Sequence, residues 1–148
     1  MRDEVTTAQR MAMQAMHDMH MYESGWYAHA VPASEYDGVH ANYHTHGLPE
    51  SFGHKDFQVV FDVSAKQSHA VINGMIAEIK EGRVYESGKV YDDILRNGFR
   101  VKLQEFREGD RPVLRLILCD PNNRLPGEFG CDPAYLIQLD DYPFDGNE

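Results

Sequence analysis

Hydrophobic and polar positions change period repeatedly along the chain, and each change marks a predicted element. Ala8, Met11, Ala12, Ala15, Met16 and Met19 recur at helical spacing and predict an amphipathic helix over about residues 7–22, with Thr6 or Thr7 as cap. Trp26 to Val31 reads as a short strand. Residues 39–46 then alternate: Val39, Ala41, Tyr43 and Thr45 fall on one face, and His40, Asn42, His44 and His46 on the other. Gly47-Leu48-Pro49 ends that strand, because proline has no N–H to donate to a ladder. Asp56 to Val63 is a nearly continuous apolar run and predicts a strand. Ser64 and Gln67 make a Ser-x-x-Gln capping box ahead of a helix that buries Val71, Ile72, Met75, Ile76 and Ile79 and stops at Gly82.

Residues 83–98 carry only weak turn signals and a short predicted helix, Asp92 to Arg96. Phe99, Val101 and Leu103 alternate with Arg100, Lys102 and Gln104 as in a half-covered strand. Glu108-Gly109-Asp110-Arg111 is a hairpin turn into a second strand, Val113 to Cys119. Asp120 to Pro133 is a loop rich in Pro, Gly and Asn, long enough to suggest a functional role. Ala134 to Leu139 reads as a last strand, followed by an acidic tail at 140–148. This order predicts a single α+β domain, a largely antiparallel sheet with two main helices packed on it.

Composition narrows the function classes. The 148 residues carry 24 acidic against 14 basic side chains, a formal net charge of −10, which argues against nucleic-acid binding driven by phosphate neutralisation. An apolar fraction of 42 % suffices for a folded core. Cys119 and Cys131 are too few for a cysteine-rich zinc knot or a secreted disulfide framework. No run reaches the ~18 apolar residues that cross a bilayer, and the N-terminus does not read as a signal peptide. The expectation is a cytoplasmic protein without membrane contact.

The chemistry concentrates on the histidine strand. A His-x-His pair on a strand puts His44 and His46 on one face, close enough to chelate one ion, and Glu50 beyond the turn is a candidate oxygen ligand. Two histidines and a carboxylate suit divalent zinc or iron. His54 and Asp56 flank the start of the next strand, where a carboxylate can orient an imidazole for acid–base work; a plain strand-start pair would look the same. His44, His46, His54 and Asp56 are therefore the candidate catalytic residues. His40, Asn42, Thr45, Asp120 and Arg124 are candidate ligand-binding positions. His29 shares a face with Tyr27 and Val31, and it joins the cluster if its strand pairs with the histidine strand.

Two family resemblances bear on this stretch. Gly38-x5-His44-x-His46-x3-Glu50 resembles the first cupin motif, which implies a mononuclear metal on His44, His46 and Glu50. The closing glycine of that motif falls at Phe57, and no second motif follows. A broader resemblance spans residues 25–140. Gly25-Trp26, Thr45-His46-Gly47-Leu48, Phe52-Gly53-His54-Lys55-Asp56, the helix ending at Gly82, and the late Asp120, Pro126 and Gln138 are similar to the DUF4262 family. That resemblance implies an α+β domain of bacteria or their phages and supplies no activity. His44 departs from it, standing where an aromatic is usual.

The functional expectation is a His-rich pocket for a small polar or anionic ligand or a divalent metal, with hydrolase-like chemistry. The competing expectation is a non-catalytic acidic interaction protein, an inhibitor or adaptor related to phage or defence. Either class accommodates a protein partner or a homodimer through the Met-rich first helix.

Overall fold

A computed structural model describes residues 24–35 and 37–141 of the chain. The predicted Met-rich helix at 7–22 and most of the acidic tail lie outside the described residues. The elements are β1 (Tyr27–Val31), β2 (Asn42–His46), a short α1 (Leu48–Phe52), β3 (Asp56–Val59), α2 (Ala65–Lys80), β4 (Val90–Tyr91), β5 (Val101–Glu108) and β6 (Arg111–Leu118). The strands form one six-stranded sheet in the order β1-β2-β3-β6-β5-β4. Every neighbouring pair is antiparallel except β3 and β6, which run parallel. The fold is α+β.

α2 forms where the capping box predicts. The Ser64 side chain accepts from the Gln67 backbone N–H at 3.1 Å, and Lys80 ends the helix just ahead of Gly82 at φ 101°. Its Ile72, Met75, Ile76 and Ile79 pack on Tyr43, Phe57, Val59, Leu103, Leu114 and Leu116 of the sheet. Each isoleucine so buried contributes on the order of 1.5–3 kcal/mol. The hairpin also forms as predicted, with Gly109 at φ 61° in a two-residue turn that sets Glu108 opposite Arg111.

Several elements differ from the sequence reading: β3 ends at Val59 rather than Val63, and the sequence predicts neither α1 nor β4. The histidine strand begins at Asn42 rather than at residue 39. Asp37 Oδ1 accepts from the backbone N–H of Val39 (2.8 Å) and of His40 (2.7 Å), which holds 37–40 as a turn. Residues 92–96 form no α-helix; a 3-10 turn spans Arg96–Gly98 with Asn97 left-handed at φ 62°. The predicted last strand, 134–139, is a 3-10 helix, Pro133–Leu139, capped by Asp132 accepting from Ala134 N–H. Its Gln138 amide accepts from Leu118 N–H at 2.7 Å and donates to Leu118 O at 3.0 Å. One side chain thus supplies the two bonds that a strand would have made there.

The sheet has two unlike faces. The α2 face is apolar. The opposite face carries Asn42, Gln58 and Arg115, all fully buried, with Asp56 at 3 % exposure and His44 at 8 %. Burying so many polar side chains is costly unless each finds a partner, and their partners define the site.

Candidate functional site

β1 and β2 pair with His29 opposite His44 and Tyr27 opposite His46. Alternation places His29, His44 and His46 on one face. Their ring centroids lie 5.4 Å (29–44), 5.0 Å (29–46) and 4.9 Å (44–46) apart. One ligand nitrogen from each ring falls within 4.8 Å of the other two. Tyr27 stacks on His46 at 5.1 Å and closes one side. A triangle with 4.8 Å sides has corners about 2.8 Å from its centre, so ~0.7 Å of closing per ring reaches the ~2.1 Å zinc–nitrogen distance.

The His44 and His46 rings are neutral at pH 7. Burial pushes the His44 pKa down to about 4 and that of His46 to about 3, and Arg111 reinforces both shifts. A neutral imidazole keeps the lone pair that a metal needs. Among the described residues, His44 Nδ1 and His46 Nε2 are buried without a hydrogen-bond partner, an arrangement that normally costs about 1–3 kcal/mol each.

A buried polar chain backs the rings. Glu108 Oε2 lies 3.3 Å from His44 Nδ1 and accepts from Asn42 Nδ2 at 3.0 Å. Glu108 Oε1 accepts from Arg111 Nε (3.0 Å) and Nη2 (2.6 Å), and Arg111 Nη1 donates to Asp56 Oδ2 at 2.8 Å. Asp56 Oδ1 in turn accepts from the Thr45 hydroxyl (2.7 Å) and from Leu48 N–H (3.2 Å). Burial works against the Glu108 charge, yet His44, Asn42 and Arg111 outweigh it and hold its carboxyl below the usual glutamate range.

The amide orientations follow from Arg115, which can only donate. Its Nε donates to Gln58 Oε1 at 2.9 Å, so Gln58 Nε2 must face Asn42 Oδ1 and Glu108 Oε2, each at 3.4 Å. Asn42 is thereby turned with its Nδ2 on Glu108. Arg115 itself lies over the Phe106 ring at 3.6 Å and donates to the carbonyls of Gln138 and Asp140.

A family model for a domain of unknown function, DUF4262, matches residues 20–132. The chain belongs to the DUF4262 family. No curated protein and no solved structure matches it. The matched residues 20–132 include all three histidines and the Glu108–Arg111–Asp56 chain.

The remaining predicted residues fall in different places. His44, His46, Asn42, Thr45 and Asp56 come together in or beside the cluster. Glu50 is exposed on α1 and is not among the three residues whose ligand atoms converge. His54 does not pair with Asp56. It lies against Phe57 and Tyr85, donates from Nδ1 to Lys55 O at 2.8 Å and accepts Tyr85 N–H on Nε2 at 3.0 Å. Those two bonds use both nitrogens and fix one tautomer. His40 bridges Asp37 (2.6 Å) and Asp140 (2.9 Å); burial opposes its charge, but the two carboxylates raise its pKa. Asp120 organises the long loop, accepting from the N–H groups of Asn122, Arg124 and Asp132. Arg124 reaches Gly130 O at 3.1 Å. Cys119 and Cys131 are free thiols. Among the described residues no helix is long and apolar enough to cross a membrane.

Sequence reasoning missed Glu108 and Arg111 as site residues, because both read as hairpin-turn polarity. The available signal was their opposite charge across a two-residue turn, which pairs them directly.

Proposed function

We propose that this protein binds a divalent transition metal, zinc or iron, through His29, His44 and His46, and uses it to hold a small polar or anionic ligand. The observation that carries the reading is the convergence of three imidazole nitrogens within 4.8 Å from two paired strands. His29 takes the place that the sequence reading gave to Glu50. Imidazole ligands suit zinc, iron, copper and nickel, and a three-histidine set leaves coordination positions open. The carboxylate of Glu108, 3.3 Å from His44 Nδ1, favours a cation at the site. A metal held there supplies Lewis acidity for hydrolase-like chemistry. Arg111, between Glu108 and Asp56, offsets part of the negative charge and so keeps the site from being a bare acidic cluster.

The test is metal analysis on protein purified without a histidine tag, with zinc and ferrous iron supplied in parallel. One ion per chain is expected, falling below one tenth in His44→Ala and His46→Ala and losing at least about tenfold in affinity in His29→Ala. Sub-stoichiometric metal in native protein under every supply condition would sink the proposal, as would full occupancy in all three variants.

A further inference from the structure

Across the sheet from the histidines, between α2 and the chain running from Arg83 to Arg96, lies a cavity of about 820 Å³. Its floor is the apolar face of the sheet at Val59, Leu116 and Leu118, and Met75 and Tyr85 wall it. The size lies within the ~300–1,000 Å³ range of small-molecule sites. α2 borders it from Gln67 to Glu78, a length of about 16 Å at roughly 1.5 Å per residue.

Three features of the lining are unexplained by folding alone. Gly74 sits in the interior of α2, where glycine weakens the folding equilibrium about fivefold relative to alanine. No close approach among the described residues requires it, because a Cβ at Gly74 would meet none of them within 4 Å. A side chain there would instead project into the cavity. Ser68 is 4 % exposed, and its hydroxyl has no hydrogen-bond partner among the described residues. Finally, the rim carries Glu78, Arg83, Asp93 and Arg96. Arg83 is held by Asp93 through bonds of 2.9 and 3.1 Å and lies 3.8 Å from Glu78. Arg96 makes no ion pair among the described residues, which leaves one rim guanidinium available to an anion.

The topology sets these features along a line. Val63, Gln67 and Ser68 mark the N-terminal end of α2. Leu118 closes β6 at the same end, because β3 and β6 run parallel. Arg96 precedes β5, whose Val101 pairs with Leu118. The cationic rim group and the unpartnered hydroxyl thus both line one elongated apolar space.

We infer that the cavity is a binding site for an elongated monocarboxylate, with its apolar tail along α2 past Gly74 and its carboxylate at the Arg96 end. Arginine is suited to that head group because its planar fork matches a carboxylate. Gly74 keeps open the space through which the tail passes. The site is independent of the histidine cluster, which occupies the other face of the sheet.

Titration calorimetry with sodium octanoate and 1-octanol tests the inference. Octanoate is expected to bind once per chain and about tenfold tighter than the uncharged octanol, the worth of one charge-assisted contact. Arg96→Gln should bring the two to equal affinity. Gly74→Leu should abolish octanoate binding, and Gly74→Ala, which also favours the helix, should weaken it several-fold while raising the urea midpoint. His44→Ala should bind octanoate as native protein does, which separates this site from the metal proposal. No octanoate binding by native protein, equal affinity for octanol, or unchanged affinity in both Gly74 variants would each overturn the inference.

Discussion

Glu108→Gln removes one charge and almost no volume, and it strikes the point where the histidine cluster meets the buried polar chain. Glu108 is 8 % exposed and accepts two bonds from Arg111 and one from Asn42 at distances between 2.6 and 3.0 Å. An amide offers one acceptor where the carboxylate offers two. If the Gln oxygen faces Arg111, its NH₂ meets the donors of Asn42 and Gln58. If it faces Asn42, its NH₂ meets the guanidinium. Asn42 and Gln58 cannot turn to relieve this, because Arg115 Nε fixes Gln58 and Gln58 fixes Asn42. Bonds to a charged group are worth about 1.5–3 kcal/mol each. Arg111 is 28 % exposed and retains Asp56, so part of its loss is recovered from water and from that second carboxylate. The expected cost is about 2–4 kcal/mol, read from urea unfolding of apo-protein monitored at Trp26. Zinc affinity should fall by about 10–100-fold, because His44 loses the carboxylate behind it. Glu105→Gln, on the same strand in an ion pair with both partners over 40 % exposed, is the control and should stay within about 0.5 kcal/mol. A loss under about 1 kcal/mol with unchanged zinc affinity would refute the claim that Glu108 supports the rings.

Stability of the apo-protein should fall as pH drops from about 6.5 toward 4. The folded-state pKa values of His44 (about 4) and His46 (about 3) lie below the ordinary 6.5, so the unfolded chain binds more protons throughout that window. Their contribution is complete above 6.5 and disappears as pH falls through the folded values. His40, with its raised pKa, has its contribution fully in place below 6.5 and does not mask the trend. Urea midpoints at pH 7.0, 5.5 and 4.5 should decrease in that order, and saturating zinc at pH 7.0 should raise the midpoint there; a flat or rising series contradicts the buried neutral assignment. His54→Ala should cost about 2–3 kcal/mol by leaving Tyr85 N–H without its acceptor in a buried position, with zinc stoichiometry unchanged. Loss of zinc at native stability would instead return His54 to the site.

Local chemistry carried most of the fold reading. The Ser64 cap, the apolar stripe of α2 and the Glu108–Arg111 turn each act within a few residues, and sequence displays such interactions directly. The errors came where a distant group decided the local structure. Residues 134–139 are a short, mostly apolar run that reads as a strand, but Pro133 and the Asp132 cap start a 3-10 turn. The backbone of Leu118, at the end of β6, is then satisfied by the Gln138 side chain. His54 and Asp56 stand two apart on the sequence, which suggests a shared face. His54 precedes the strand, however, and turns toward Tyr85, while Asp56 is drawn to Thr45 and Arg111.

The site followed the same division. Alternation alone put His44 and His46 on one face with Asn42, and that face is set by Tyr43 entering the core. The third imidazole depended on register. His29 meets His44 only because β1 lies antiparallel to β2 in that alignment; a slip of one residue would turn Ala28 or Ala30 to the cluster in its place. The register is held from both sides. Trp26 and Ala28 pack into the α2 core, and Tyr27 stacks on His46 across the other face. The residues that complete the site are thus placed by burial of their sequence neighbours. A histidine in an edge strand is legible as a ligand only once the partner strand and the buried face of its own strand are both known.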